Sequence, residues 1–511
     1  MTFTFPQGFT WGVATASYQV EGAAQEGGRT PSIWDTYCAV PGNISDGSSG
    51  EVACDQYHLY KQDVALMKKL GVQAYRFSVS WSRVFPTPDG PVNEEGINYY
   101  RSLISELVKA GIKPVVTLYH WDLPQYLQDI GGWANREVAY RFADYARELA
   151  RQFGSSVDTW TTLNEPWCAA YLGYGSGIHA PGIANYAQAL AAVHHLNLAH
   201  GLAIKAIREE LGEQAKCSVT LNLQIRNAAS HSADDLLAEH MQNLLDNEVF
   251  LGPMLEGAYD PEIFELTRDW TDWSFVKPGD VEIIHQPINS LGVNYYSAST
   301  VYLKRLPITE KMAYRRHLAE LAAKATKPAE SEDAAALAAL STSGSLSNAG
   351  GVPVPQGAAD RVQQPPVPGL EDVAYLPGEG ELTDTGWSQN PEELTKLLFD
   401  LHRRFPSLPL MITENGSAWK DEVSVEPDGT KVVHDPKRVA YLNDHVKAMA
   451  DAIEAGVPVI GYYAWSLLDN FEWGSGYSKR FGIIRVDYDT QERIWKDSAT
   501  RYSEIAHSNQ I

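Results

Sequence analysis

Apolar residues recur at helical spacing over residues 55–70 (Tyr57, Tyr60, Val64, Met67, Leu70), stop at Gly71, and give way to a short, densely apolar run at 72–79. A period near 3.6 predicts a helix with one face on a core. A run of four to eight apolar residues between turn formers predicts a buried strand. The alternation returns as helix 97–110 and strand 113–119, helix 137–153 and strand 157–163, and helix 186–211 and strand 217–221. It continues with helical residues 233–250 before strand 290–296, residues 391–405 before a strand from Leu410 to Glu414, residues 436–455 before strand 458–465, and a closing helix at 493–506. With 9–17 as the first strand, eight strands are each separated from the next by helical pattern. This predicts an α/β fold, a single (β/α)8 TIM barrel over residues 1–511.

One segment interrupts the pattern. Residues 305–382 are rich in Ala, Pro, Ser and Gly, which suits a surface insertion between strands six and seven, with an Ala-rich helix at 311–327 inside it. Such an insertion projects from the active face as a lid or an oligomer contact, or is simply a tolerated loop.

Parallel strands bring their C-terminal ends to one face, where barrel enzymes keep their sites. Here those ends carry Gln19, Arg76, His120, Asn164, Glu165, Asn222, Asn294, Tyr296, Glu414 and Trp465. Any one of them has an ordinary structural explanation, and Glu414 before Asn-Gly reads by itself as a surface turn. So many polar groups at buried strand ends are costly unless they serve a common purpose.

Glu165 and Glu414 end strands four and seven and can face each other across a pocket. Paired carboxylates of this kind suit glycoside hydrolysis, one protonating the leaving oxygen while the other attacks or activates water. Metal binding is the rival reading, but no zinc helix motif or aspartate-rich loop accompanies them. Arg76 and Tyr296 can reach Glu414 from neighbouring strand ends and keep it ionised. Burial beside a second negative charge would keep Glu165 protonated. Gln19, His120, Asn164 and Glu472 can grip sugar hydroxyls, and Trp465 and Trp473 offer flat walls for the apolar face of a pyranose.

Charge narrows the ligand class. The 41 basic and 64 acidic side chains give a net −23, which disfavours nucleic acid and anionic membranes and favours a neutral substrate. Four cysteines without CxxC spacing read as free thiols, with a Cys38–Cys54 bridge left open. The start of the chain lacks a basic and apolar leader pattern and no run of about 18 apolar residues occurs, so a cytoplasmic location is expected.

Seven blocks, in order, then carry a resemblance: FTWGVATASYQVEGA, RFSVSWSRVFP at Arg76, LYHWDLPQ at His120 and Trp121, TLNEP at Glu165, GVNYY at Tyr296, ITENG at Glu414, and YYAWSLLDNFEWGSGYSKRFGIIRVDY. The chain resembles the retaining β-glycosidases of glycoside hydrolase family 1, bacterial β-glucosidases in particular. That resemblance implies a cofactor-free, metal-free enzyme with Glu165 as acid/base and Glu414 as nucleophile, oriented by Arg76 and Tyr296. It implies sugar binding by Gln19, His120, Trp121, Asn164, Glu472 and Trp473, with Trp465 beneath the ring, Trp387 as an aglycone platform, and Asn222 and Asn294 as further contacts. The myrosinase-like branch lacks the acid/base that TLNEP keeps here. Branch members acting on 6-phosphorylated sugars carry a serine and lysine pattern where this chain has NFEW, so an unphosphorylated sugar is expected. A β-galactosidase or β-fucosidase preference, transglycosylation, and a sugar-binding pseudoenzyme remain alternatives.

Overall fold

A computed structural model describes residues 2–304 and 367–511. Eight strands close into a parallel barrel: β1 Thr10–Ala14, β2 Ala74–Ser78, β3 Lys113–Tyr119, β4 Thr159–Asn164, β5 Cys217–Leu221, β6 Ser290–Asn294, β7 Leu410–Asn415 and β8 Val459–Trp465. β1 pairs with β8 on one side, Ala14 opposite Trp465, and with β2 on the other, Ala14 opposite Arg76. The helices that follow the strands are α1 Gln56–Leu70, α2 Glu94–Lys109, α3 Glu137–Phe153, α4 Tyr186–Leu211, α5 Ala233–Asn243, α6 Pro391–Arg404, α7 Pro436–Glu454 and α8 Asp497–Ser508.

Local chemistry sets these boundaries. α2 begins at Asn93, whose side chain accepts from the Glu95 N–H, and α4 begins at Asn185, which accepts from Gln188. α1 ends at Gly71 with φ of 77°, a left-handed turn that costs glycine nothing. α3 buries Val138, Phe142, Tyr145, Ala146, Leu149 and Phe153, one stripe at three- and four-residue spacing. Inside the barrel, Ala14, Ala74, Val115, Met411, Tyr463 and Trp465 form a small cluster separate from the main apolar core.

The expected barrel is present, with local differences. Residues 493–496 are not helical: Arg493–Lys496 is a strand antiparallel to Ile484–Val486, and α8 starts only at Asp497. The first strand is shorter than expected, and Gln19 lies on the short helix Ser17–Val20 beyond it. All four cysteines are free, which removes the Cys38–Cys54 bridge. The expected helix at 311–327 and most of the insertion lie outside the described residues. At the insertion's far end, Val373–Tyr375 pairs with Ala298–Leu303, returning the chain to the barrel rim.

The pairing shifts register at several points, including Leu410 to Met411 at the start of β7 and others beside the pocket. The register shifts between Ile412 and Glu414 against β6, and between Thr161 and Asn164 against β5. Such bulges re-aim side chains. In β7, Thr413 bonds Asn294 and Glu414 bonds Arg76, while Asn415 bonds Tyr295, Tyr441 and Tyr462. Gly416 is required by space, because a Cβ there would lie 1.8 Å from the Trp465 carbonyl oxygen.

Candidate active site

The barrel's C-terminal face holds a pocket of about 160 Å³ lined by Glu165, Glu414, Glu472, His120, Trp121, Asn222, Asn294, Tyr296, Trp387, Trp465 and Trp473. Gln19, Arg76 and Asn164 stand immediately behind that lining, fully buried. Every residue expected from the sequence is therefore brought to one place. The two asparagines expected as further contacts each bond a pocket residue: Asn294 bonds Glu165, and Asn222 bonds Cys168.

The two carboxylates have different neighbours. Arg76 donates to Glu414 Oε1 at 2.7 Å, and the Tyr296 hydroxyl donates to Oε2 at 2.7 Å. Burial pushes the Glu414 carboxyl upward, and Arg76 and Tyr296 oppose that push. Glu165 receives Asn294 Nδ2 on Oε1 at 2.6 Å and the Cys168 thiol on Oε2 at 3.2 Å. Burial and then the Glu414 charge both push its carboxyl up. These neighbours therefore favour a negative charge on Glu414 over one on Glu165.

Around them a hydrogen-bond relay fixes orientation. Asn164 Oδ1 accepts from Arg76 at 2.6 Å and from Asn294 at 3.1 Å, so its Nδ2 faces His120 Nε2 at 3.0 Å. Burial, then Arg76, holds the His120 ring neutral, which leaves its proton on Nδ1. Among the described residues that Nδ1 has no partner, and neither do the buried Gln19 Oε1, Glu472 Oε2 and Trp387 Nε1. Two donors and two acceptors held unpartnered are a complement to hydroxyl groups, which both give and accept. Flat surface lies beside them: Trp121 packs 4.6 Å from Trp473, and the His120 ring stacks 5.8 Å from Trp465. Glu165, Trp121 and Trp473 all sit at positive φ, backbone strain of the kind retained at functional sites.

Sequence reasoning missed Cys168, His179, Arg226, Glu379 and Phe481, which also line the pocket. Cys168 carried a usable signal, since it follows Glu165 by three residues at a strand-to-helix junction. Among the described residues no group of three or more His, Cys, Asp or Glu is arranged to hold a metal ion, and no helix is long and apolar enough to cross a membrane.

Comparison with known proteins is decisive. Residues 1–511 match the family model described as Glycosyl hydrolase family 1. The chain belongs to glycosyl hydrolase family 1. Among its family 1 relatives, a bifunctional beta-D-glucosidase/beta-D-fucosidase of Bifidobacterium breve is 46% identical over 98% of each chain. Beta-glucosidase A of Thermotoga maritima is 38% identical over 99% of this chain and 98% of its own. The solved structure of a psychrophilic beta-glucosidase from Micrococcus antarcticus superposes with a TM-score of 0.85 at 40% identity, covering 99% of this chain and 98% of that one. A family 1 beta-glucosidase structure from Thermotoga maritima, in complex with isofagomine lactam, gives 0.83 at 37% identity and covers both chains fully.

Proposed function

We propose that this chain is a retaining β-glucosidase that releases terminal nonreducing β-D-glucosyl residues from cello-oligosaccharides or from aryl and alkyl glucosides. The observation that carries the division of labour is the asymmetry between the carboxylates: Arg76 and Tyr296 both bond Glu414, and neither bonds Glu165. In the first step Glu414 attacks the anomeric carbon, the glycosidic C–O bond breaks, and Glu165 passes its proton to the leaving oxygen. In the second, Glu165 takes a proton from water, whose oxygen attacks the same carbon and releases Glu414. Arg76 and Tyr296, each bonded to one oxygen, hold the Glu414 carboxylate in line for attack by one of them. His120, Gln19, Glu472 and Trp387 present their unpartnered atoms to hydroxyls, and Trp465 and Trp473 to the ring face.

Product stereochemistry tests this: proton NMR of early hydrolysis should show the β-anomer of glucose first, and an initial α-anomer would overturn the mechanism. Azide rescue tests the roles. Glu414→Ala should yield the α-glycosyl azide, and Glu165→Ala, with an activated aryl glucoside, the β-azide; the reverse outcome exchanges the two residues. A second activity, on β-D-fucosides, is favoured by the Bifidobacterium relative's bifunctional description. A panel of aryl glycosides separates gluco, fuco and galacto preferences. A cytoplasmic location is supported by four unpaired cysteines, three of them buried.

A further inference from the structure

Cys168 stands three residues after Glu165, at the start of the helical turn Cys168–Ser176, buried and lining the pocket. Its sulfur lies 3.2 Å from Glu165 Oε2 and 3.5 Å from Asn222 Nδ2. The other carboxyl oxygen, Oε1, faces Asn294 Nδ2, an amide nitrogen that only donates. The Asn294 amide is oriented by Thr413, which donates to its Oδ1 at 2.8 Å. Oε1 therefore stays an acceptor, and the acid proton belongs on Oε2. Asn222 donates to the sulfur, which leaves the S–H free to point at Oε2.

Resting on the acid/base reading of Glu165, we propose that Cys168 is a positioning residue that serves both protonation states of that carboxyl. While Glu165 is ionised the thiol donates to Oε2; when Glu165 carries its proton the S–H turns away and the sulfur becomes a weak acceptor. A thiol does both feebly, so neither state of Glu165 is strongly preferred and the proton can leave and return in each cycle. A hydroxyl in the same place would bond the ionised form more tightly and hold it there. The other titratable and charged groups acting on Glu165 come from several elements, Glu414 on β7, Arg76 on β2, Tyr296 after β6 and Glu472 after β8, and the neutral His120 and His179 line the same pocket. None of them is altered by substitution at Cys168. The thiol itself stays neutral, pushed up by burial and then by Glu165.

The test compares pH profiles of kcat/KM on an aryl β-glucoside for the full chain, Cys168→Ser, Cys168→Ala and Glu165→Gln, each checked for an unchanged circular dichroism spectrum. Cys168→Ser should move the alkaline limb down by about half a pH unit or more, and Cys168→Ala should move it up, because one strengthens and the other removes the donor to the ionised carboxyl. Limbs that coincide with wild type in both folded variants would overturn the proposal, as would movement of both in one direction. Glu165→Gln separates the two readings. If it abolishes the alkaline limb while the cysteine variants leave it in place, only the role of Cys168 fails; if it keeps the wild-type limb, the acid/base assignment fails.

Discussion

Two buried ionic clusters lie close together in this barrel, and they are built on opposite plans. Behind β8, three carboxylates meet three cations: Asp421 and Asp435 bond Arg438, Asp421 and Asp469 bond Lys496, and Asp469 bonds Arg480 at 2.8 Å. In the pocket, Glu165, Glu414 and Glu472 face Arg76 as their only directly bonded cation among the described residues, at Glu414. The first cluster is balanced in charge, and Ser498 donates to Asp435 from both its backbone and its hydroxyl. The second holds atoms on Gln19, His120, Glu472 and Trp387 that have no partner among the described residues. A saturated cluster specifies one structure; an unsaturated one stores interaction capacity that a ligand can use. The two are joined, because Asp469 begins the segment through Asn470 to Glu472 and Trp473, and Asn470 accepts from Gln19 at 3.0 Å.

The comparison is broken most severely by removing the one charge in the pocket that Arg76 balances. Glu414→Gln should lower kcat/KM by about 10⁴-fold or more, as loss of a nucleophile does, while the melting temperature stays the same or rises. Arg76 then loses its charged partner but keeps Gln Oε1 as an acceptor, and relief of the repulsion that Glu414 exerts on Glu165 and Glu472 offsets the broken pair. A variant that retains turnover on an aryl glucoside, or that loses activity by unfolding, would place Glu414 with the structural cluster instead.

Lys496→Met attacks the other side. It leaves Asp421 and Asp469 buried with one cation fewer, and breaking a buried pair costs about 3–5 kcal/mol. Unfolding in urea should therefore show a large drop in stability, with the alkaline limb of kcat/KM unmoved. If the limb moves while stability holds, Lys496 belongs electrostatically to the pocket.

Much of this was legible in the sequence, for physical reasons that particular residues make plain. Period 3.6 against short apolar runs located all eight strands, because each barrel strand is buried on both faces. Glu414 before Asn-Gly reads alone as a surface turn, and it and Glu165 stand out only because eight parallel strands bring their C-terminal ends to one face. The strand Arg493–Lys496 was read as helix because its partner, Ile484–Val486, lies across a turn at Asp487–Gln491 whose pairing periodicity alone does not reveal. The register shifts that aim Glu414 leave no trace in spacing. The balanced cluster was invisible for a simpler reason: Asp421, Asp469 and Lys496 are brought together only by the closed barrel. Cys168 reads from the sequence only as a free thiol, although its place three residues after Glu165 is the one signal that could have tied it to that carboxyl.

The mildest and most discriminating change is Glu472→Gln. Burial, then the Glu414 and Glu165 charges, push the half-buried Glu472 up to about 8, against about 4.3 in an unfolded chain. Between those values the folded protein binds more protons at this site than the unfolded one, so stability falls as pH rises through the window. Asp469 has the opposite sign: despite its burial it is held below its ordinary range by Lys496 and Arg480, so its contribution is full above the unfolded aspartate value and fades as pH falls through its own. Neutral glutamine removes only the pocket's penalty. Calorimetry should find the variant more stable than wild type at about pH 8, by on the order of 1 kcal/mol after allowing for the partial exposure of the side chain, with the gap closing near pH 4. Its kcat/KM on a glucoside should fall roughly tenfold or more, because a carboxyl that can give or accept a hydrogen bond with sugar hydroxyls is replaced by an amide of fixed polarity. Equal destabilisation at both pH values would mean that Glu472 is a structural partner like Asp469, and that its unpartnered Oε2 is not held in reserve for substrate.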